Sequence, residues 1–252
     1  MKKLFRTTMI QLFTLCWMMP AQAQDSDNAA MLAMITPKEG HNEALIKAIT
    51  DYHKWVANFD GHMEFNWYEI LTGPDTGKYV ARTGGHNWAD FDKEYDWQKK
   101  AGEVFKTNVQ PHIEDIQMWM TTDMTEMNYW PESWEGYTHF HVQDWYVQNG
   151  RYGEFRQGLK KIVEALKAGG FPNHFGFHSM ASGGYAGQIT LVSANKGWAD
   201  YAESEPTFYD IMSKELGSEE AFTQFMKDWG DTFKQGRNHT VKLMPEASDY
   251  GN

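Results

Sequence analysis

Cysteine is almost absent from this sequence: Cys16 is the only one. It falls in a segment expected to be removed, so the mature chain should have no disulfide, thiolate metal site or cysteine nucleophile. Crossing a bilayer takes about 20 apolar residues, and the stretch from Thr7 to Met19, interrupted by Gln11, is too short. It follows Lys2, Lys3 and Arg6 and ends at Pro20-Ala21-Gln22-Ala23, the pattern of a secretory leader cleaved after Ala23. The mature protein is therefore expected in the periplasm or outside the cell, without membrane insertion. Leu15 stands where a lipidated Cys16 would want a small residue, which argues against a lipid anchor. Positive charge is also scarce, with 23 Lys+Arg against 34 Asp+Glu and a net charge of −11. Three of those cations lie in the leader, so the mature chain is more acidic still. This excludes nucleic acid and anionic membrane surfaces as partners, since a polyanion is repelled rather than bound. No Gly-rich phosphate loop, His-Glu-x-x-His pair or nucleophile elbow is present.

What the sequence does contain is a repeat. Trp88-Ala89-Asp90-Phe91 returns 110 residues later as Trp198-Ala199-Asp200-Tyr201. At the same offset Leu45, Ile49, Tyr52 and Val56 fall on Phe155, Leu159, Ile162 and Leu166, one apolar helical face in each copy. Phe65 and Trp67 fall on Phe175 and Phe177, and Gly40, Gly73 and Gly77 on Gly150, Gly183 and Gly187. Beyond residue 95 the register fails, and the second copy carries roughly 16 extra residues near 217–220 before its last strand.

Each copy reads as strand, helix, strand, strand, helix, strand. Ala30 to Thr36 is a short apolar run ended by Pro37, residues 62–71 alternate, and Gly73-Pro74-Asp75-Thr76-Gly77 turns into a strand at 78–83. Asn87 and Asp90 are placed to cap a helix starting at Trp88, with Trp88 and Phe91 packed on the sheet edge. A strand at 113–120 closes the first copy. The expected division is a first ferredoxin-like repeat over 24–121, a linker over 122–136 and a second repeat over 137–252. The fold class is α+β, two tandem β-α-β-β-α-β units packed sheet to sheet. The lead-ins Pro-Lys-Glu-Gly-His (37–41) and Gln-Asn-Gly-Arg (148–151), with the Trp-Ala-Asp-Phe/Tyr start after the third strand, make this arrangement resemble the dimeric α/β barrel superfamily in fused tandem form. That resemblance implies a pseudo-dimeric barrel, monomeric or further paired as a homodimer. The superfamily includes cofactor-independent monooxygenases, haem-degrading and haem-peroxidatic enzymes, stress-responsive proteins and members of no known activity, so the fold leaves the cofactor unknown.

Strand alternation nominates the cavity lining. With Phe65 and Trp67 toward the helices, Glu64, Asn66 and Tyr68 face the cavity; with Phe175 and Phe177 toward the helices, His174, Gly176 and His178 do. On the strand 137–145, Phe140 and Val142 read as helix-facing, sending His139, His141 and Gln143 inward. His174 or His178 is the expected base, because histidine titrates near working pH, with Tyr68 and Asn66 orienting a substrate. The two histidine pairs sit on strands separated by a third, nearly 10 Å apart, too far for all four to share one ion. The expectation is a small apolar or aromatic ligand in the central cavity with monooxygenase-like chemistry. The alternatives are a haem- or metal-binding barrel and a non-catalytic binding or assembly module. Met118, Met120, Met124 and Met127 are thioethers suited to cuprous ion but equally to a core, and Trp130, Trp134 and Tyr137 supply rings for the seam between copies.

Overall fold

The computed structural model describes residues 27–249; the leader and Cys16 lie outside them. The order is β1 (Ala29–Pro37), α1 (Asn42–Val56), β2 (Asn66–Ile70), β3 (Tyr79–His86), α2 (Asp96–Asn108), β4 (Ile113–Asp123), β5 (His139–Val147), α3 (Tyr152–Ala168), β6 (His174–Ser182), β7 (Gln188–Asn195), α4 (Phe208–Leu216), α5 (Glu219–Gly230) and β8 (Phe233–Leu243). The strands close into one antiparallel barrel, β1-β3-β2-β8-β5-β7-β6-β4. Each repeat contributes the same four-strand order, and β2–β8 and β4–β6 seal the two seams. Closure follows from the duplication: a four-stranded unit has two bare edges, and joining them end to end leaves a sheet without an outer edge along the seams.

The helices cover the outer face. On α1, Leu45 and Ile49 are buried against Ile35, Trp67, Tyr79 and Ala81 of the first sheet, and Val56 is buried further along the same helix. On α3, Phe155, Leu159, Ile162 and Leu166 do the same against Phe175, Phe177 and Ile189. The second core is the more aromatic. Trp145, Phe155, Trp229 and Phe233 contact one another at ring separations of 4.8–6.1 Å, and Trp229 Nε1 donates to the Phe155 carbonyl. Trp229 comes from α5, one of two helices where the first repeat has the single α2.

Several expectations change in detail. Trp88–Asp92 and Trp198–Tyr201 are short 3₁₀ turns rather than the starts of long helices. Asp90 does accept from the Asn87 backbone N–H at 2.9 Å, but Trp88 and Trp198 are 42% and 52% exposed instead of packed. β8 begins 120 residues after β4, where β5 begins 110 after β1, so the insertion is ten residues. The stretch expected to be a linker continues the sheet. Met124 N donates to the Phe177 carbonyl, Asn128 Oδ1 accepts from Phe177 N, and Tyr129 exchanges both backbone bonds with Phe175.

Candidate functional site

Register decides which side chains enter the barrel, because directly paired residues share a face. Phe175 and Phe177 pack on the α3 side, so His174, Gly176 and His178 point inward, paired with Ala194, Val192 and Thr190 of β7. Trp67 packs under α1, so Asn66 and Tyr68 point inward, paired with Arg82 and Val80 of β3. These five of the nominated residues are in the lining.

The other four are not. On β5, Trp145 pairs with Ile189 and belongs to the outer aromatic core, which puts Gln143, His141 and His139 on the outer face and Phe140, Val142 and Asp144 inside. The ring contacts agree: His139 lies 5.3 Å from Trp198 and His141 6.0 Å from Tyr201, whereas Phe140 meets Tyr68 at 5.5 Å. Gln143 donates to the carbonyls of Asp144, Gly236 and Arg237 at a β8 bulge. Glu64 is exposed in the irregular stretch 62–65, because Phe65 N–H bonds the Asp249 carboxylate at 2.8 Å instead of a neighbouring strand. Burial on both faces of the closed sheet is the physical reason for the inverted β5 phase: apolar residues no longer mark the helix side.

The inward face carries a polar cluster that includes two residues not foreseen. Asp123, the last residue of β4, pairs with His178, and its Oδ1 lies 2.6 Å from His178 Nδ1. Arg82 reaches the same carboxylate at 3.3 and 3.4 Å. Burial pushes the Asp123 carboxyl up, but the His178 bond and the Arg82 charge outweigh it and hold the group below its ordinary value. An ionised carboxylate only accepts, so His178 donates from Nδ1. Among the described residues the sealed, unpartnered side-chain atoms are Thr121 Oγ1 and Ser213 Oγ. The signal for Asp123 was the alternation through Thr121 and Asp123, hidden when the strand is ended at 120.

Leu32, Met34, Val80, Val142 and Val192 all point inward in mid-strand, and each keeps partial solvent access. Aromatic rings from the segment after β4 cover part of this inner face. Trp130 lies so close over Gly176 that a Cβ there would sit 1.9 Å from its ring. Trp134 lies tilted against Trp130 at 5.3 Å and reaches Phe140 at 6.3 Å, and His174 Nδ1 donates to the Tyr129 carbonyl at 3.2 Å. Among the described residues no group of three or more His, Cys, Asp or Glu is placed to hold a metal ion, and no helix is long and apolar enough to cross a membrane.

A second concavity lies outside the barrel on the first repeat. It encloses about 540 Å³ and is lined by His53, His62, Phe65, His86, Tyr95 and Trp97 among others. There His62 Nδ1 donates to the Phe59 carbonyl at 2.8 Å, leaving Nε2 as an acceptor. His53 is committed to structure, since its Nε2 accepts from Trp67 Nε1 at 2.8 Å.

With fold and lining described, the likeness to solved structures has a physical content: this chain has the dimeric α/β barrel fold. It superposes on an anthrone oxidase-like protein at TM-score 0.53 with 12% identity, over 88% of this chain and 93% of the other. A putative monooxygenase from Lactobacillus acidophilus gives 0.52 with 9% identity, over 86% and 93%. Chlorite dismutase from Candidatus Nitrospira defluvii in complex with imidazole gives 0.54 with 9% identity, over 88% and 93%. No protein-family model and no curated protein sequence matches the chain.

Proposed function

We propose that this is an exported protein that binds a small apolar or aromatic molecule inside the barrel and acts on it as a monooxygenase-like enzyme without a tightly bound cofactor. The Asp123–His178 pair carries this reading. A histidine held at Nδ1 by a partly buried carboxylate, on the inner face of the barrel, is the geometry of a general base. The His178 bond and the Arg82 charge keep the carboxylate ionised, Tyr68 and Asn66 lie on the same lining, and Trp130 and Trp134 cover part of that face. Removal of a proton from an activated CH2 group leaves a carbanion that dioxygen can oxidise. One oxygen atom then enters as a carbonyl and the other leaves as water, the substrate supplying all four electrons. The similarity to an anthrone oxidase-like protein and a putative monooxygenase supports that class. Oxygen uptake with an anthrone as probe tests it: turnover should fall at least about a hundredfold in His178→Ala, with quenching of tryptophan fluorescence by the probe retained. Full activity in that variant would end the reading. Export is tested by fractionation and by a mature N-terminus at Gln24.

A second reading rests on the outer concavity, where His62 shares the lining with Phe65, Tyr95 and Trp97. His62→Ala, rather than His178→Ala, would then abolish turnover. Haem ligation is tested separately, by whether a Soret band develops with added haem and is lost in His174→Ala. His139 and His141 face away from His174 and His178, so the four do not converge on one ion.

A further inference from the structure

The Pro-Lys-Glu-Gly-His lead-in places His41 just before α1, where it makes no side-chain cap. Its ring turns instead to His112, the last residue before β4, and the two Nδ1 atoms stand 3.0 Å apart. The backbone fixes this approach from both sides. Lys38 N donates to the His112 carbonyl at 2.9 Å, His41 N donates to the Lys38 carbonyl at 3.0 Å, and Lys38 Nζ bonds the Pro111 carbonyl at 2.8 Å. Gly40 adopts φ 74°, which lets the chain turn into the helix at that point. Both rings are partly solvent-accessible, and His112 also lines an open cleft of about 610 Å³ between α1 and α2.

From this geometry we propose that His41 and His112 form a two-histidine chelate for a divalent transition metal, Cu(II) or Ni(II). Neighbouring nitrogens bound at about 2.05 Å are about 2.9 Å apart in square-planar coordination and about 3.3 Å apart in tetrahedral coordination. The observed 3.0 Å matches the first, the geometry Cu(II) and Ni(II) prefer. No third His, Cys, Asp or Glu among the described residues joins the pair, so water fills the remaining positions. The site belongs to the first repeat alone, since the residue 110 positions after His41 is Arg151.

Titration of the mature protein with Cu(II), followed by electron paramagnetic resonance and by isothermal calorimetry, tests the assignment. One equivalent should bind with a spectrum showing two coupled nitrogens. His41→Ala and His112→Ala should each weaken that equivalent at least about tenfold, and His62→Ala should leave it intact. His112→Asn keeps a hydrogen-bonding partner for His41 while removing the imidazole, so loss of the two-nitrogen spectrum there, with an unchanged melting temperature, separates chelation from folding. An unchanged spectrum and affinity in both alanine variants overturns the proposal, as does a spectrum without two coupled nitrogens.

Discussion

The approach of Trp130 to Gly176 makes a prediction whose sign reverses with background. Gly176 lies within β6 with Phe175 and Phe177 on the opposite face, and its backbone does not require positive φ, so alanine fits the chain locally. Relief of the conformational freedom of glycine in a strand would stabilise by about 0.5–1 kcal/mol. The added Cβ, however, would lie 1.9, 2.4 and 2.6 Å from Cζ2, Cε2 and Cη2 of Trp130. Those atoms belong to a rigid bicyclic ring held between Trp134 and His178, so the whole indole must move. Overpacking of this kind costs about 1–3 kcal/mol, and the clash outweighs the backbone gain. Gly176→Ala should therefore destabilise the protein by about 0.5–2 kcal/mol, the difference of the two effects.

In a Trp130→Ala background the same substitution meets no ring. It should then stabilise by about 0.5–1 kcal/mol, giving a coupling of about 1–3 kcal/mol between the two sites. Urea denaturation of the four proteins, monitored by circular dichroism, measures all the terms. Additive effects, or Gly176→Ala destabilising by the same amount without the tryptophan, would refute the placement of Trp130 against the inner face of β6.

Further predictions concern the rest of the fold. Gly158→Ala on α3 improves helix propensity by about 1 kcal/mol, but its Cβ would fall against Cδ1 of Trp229; with overpacking at about 1–3 kcal/mol, the variant should gain nothing and lose up to about 2 kcal/mol net by thermal melting. Ser248→Ala strands the buried Trp67 N–H, which Ser248 Oγ accepts at 2.8 Å, and should cost about 1–3 kcal/mol in urea. Burial lowers the pKa of His53, His86, His141 and His239 below 6.5 in the folded protein. Each contributes stability that is fully present above pH 6.5 and lost as pH falls toward the folded value, where the unfolded chain binds more protons. The melting temperature should accordingly drop between pH 7 and pH 5, before Asp123, with its depressed pKa, adds a further loss at more acid pH.

How far the sequence could be read depends on which side of the sheet a residue serves. The outer core was legible because helix and strand report it independently: Leu45 and Ile49 of α1 bury against Trp67, and Phe155, Leu159 and Leu166 of α3 against Phe175 and Phe177. The two periodicities agree, and the turn glycines hold both copies in register. The inner face has no such second witness. Phe140 and Val142 look like helix-facing core residues but line the barrel interior, while His139 and His141 face Trp198 and Tyr201 outside. Reading Trp145 first would have set the phase, since a tryptophan two positions before the end of a strand that leads into α3 has the helix to bury against. Asp123 was hidden for a different reason. Residues 124–129 continue the ladder along β6 while containing a 3₁₀ turn, so composition suggests a linker where hydrogen bonding makes an extended edge. Once β4 is carried to Asp123, the partner of His178 follows from antiparallel register alone.

The duplication also shows where the two copies have diverged for different work. The ten inserted residues give the second repeat α5, and α5 brings Trp229 onto Phe155 and Phe233, so the helix–sheet space of that copy is filled by stacked rings. The first repeat lacks that helix and keeps open concavities of about 610 and 540 Å³ around α1 and α2. In the interior the asymmetry runs the other way. Tyr68 of the first copy stands where the second has His178, and the first copy contributes Arg82 and Asp123 to hold that histidine. Neither repeat alone could assemble the cluster: Asp123 pairs with His178 only across the β4–β6 seam. If the Asp123–His178 pair is the working base, separating the repeats should abolish turnover even where each half retains secondary structure. Co-expression of residues 24–136 and 137–252 as two chains measures this directly. Recovery of oxygen uptake should track reassociation of the halves, and turnover by either half alone would exclude the seam as the site.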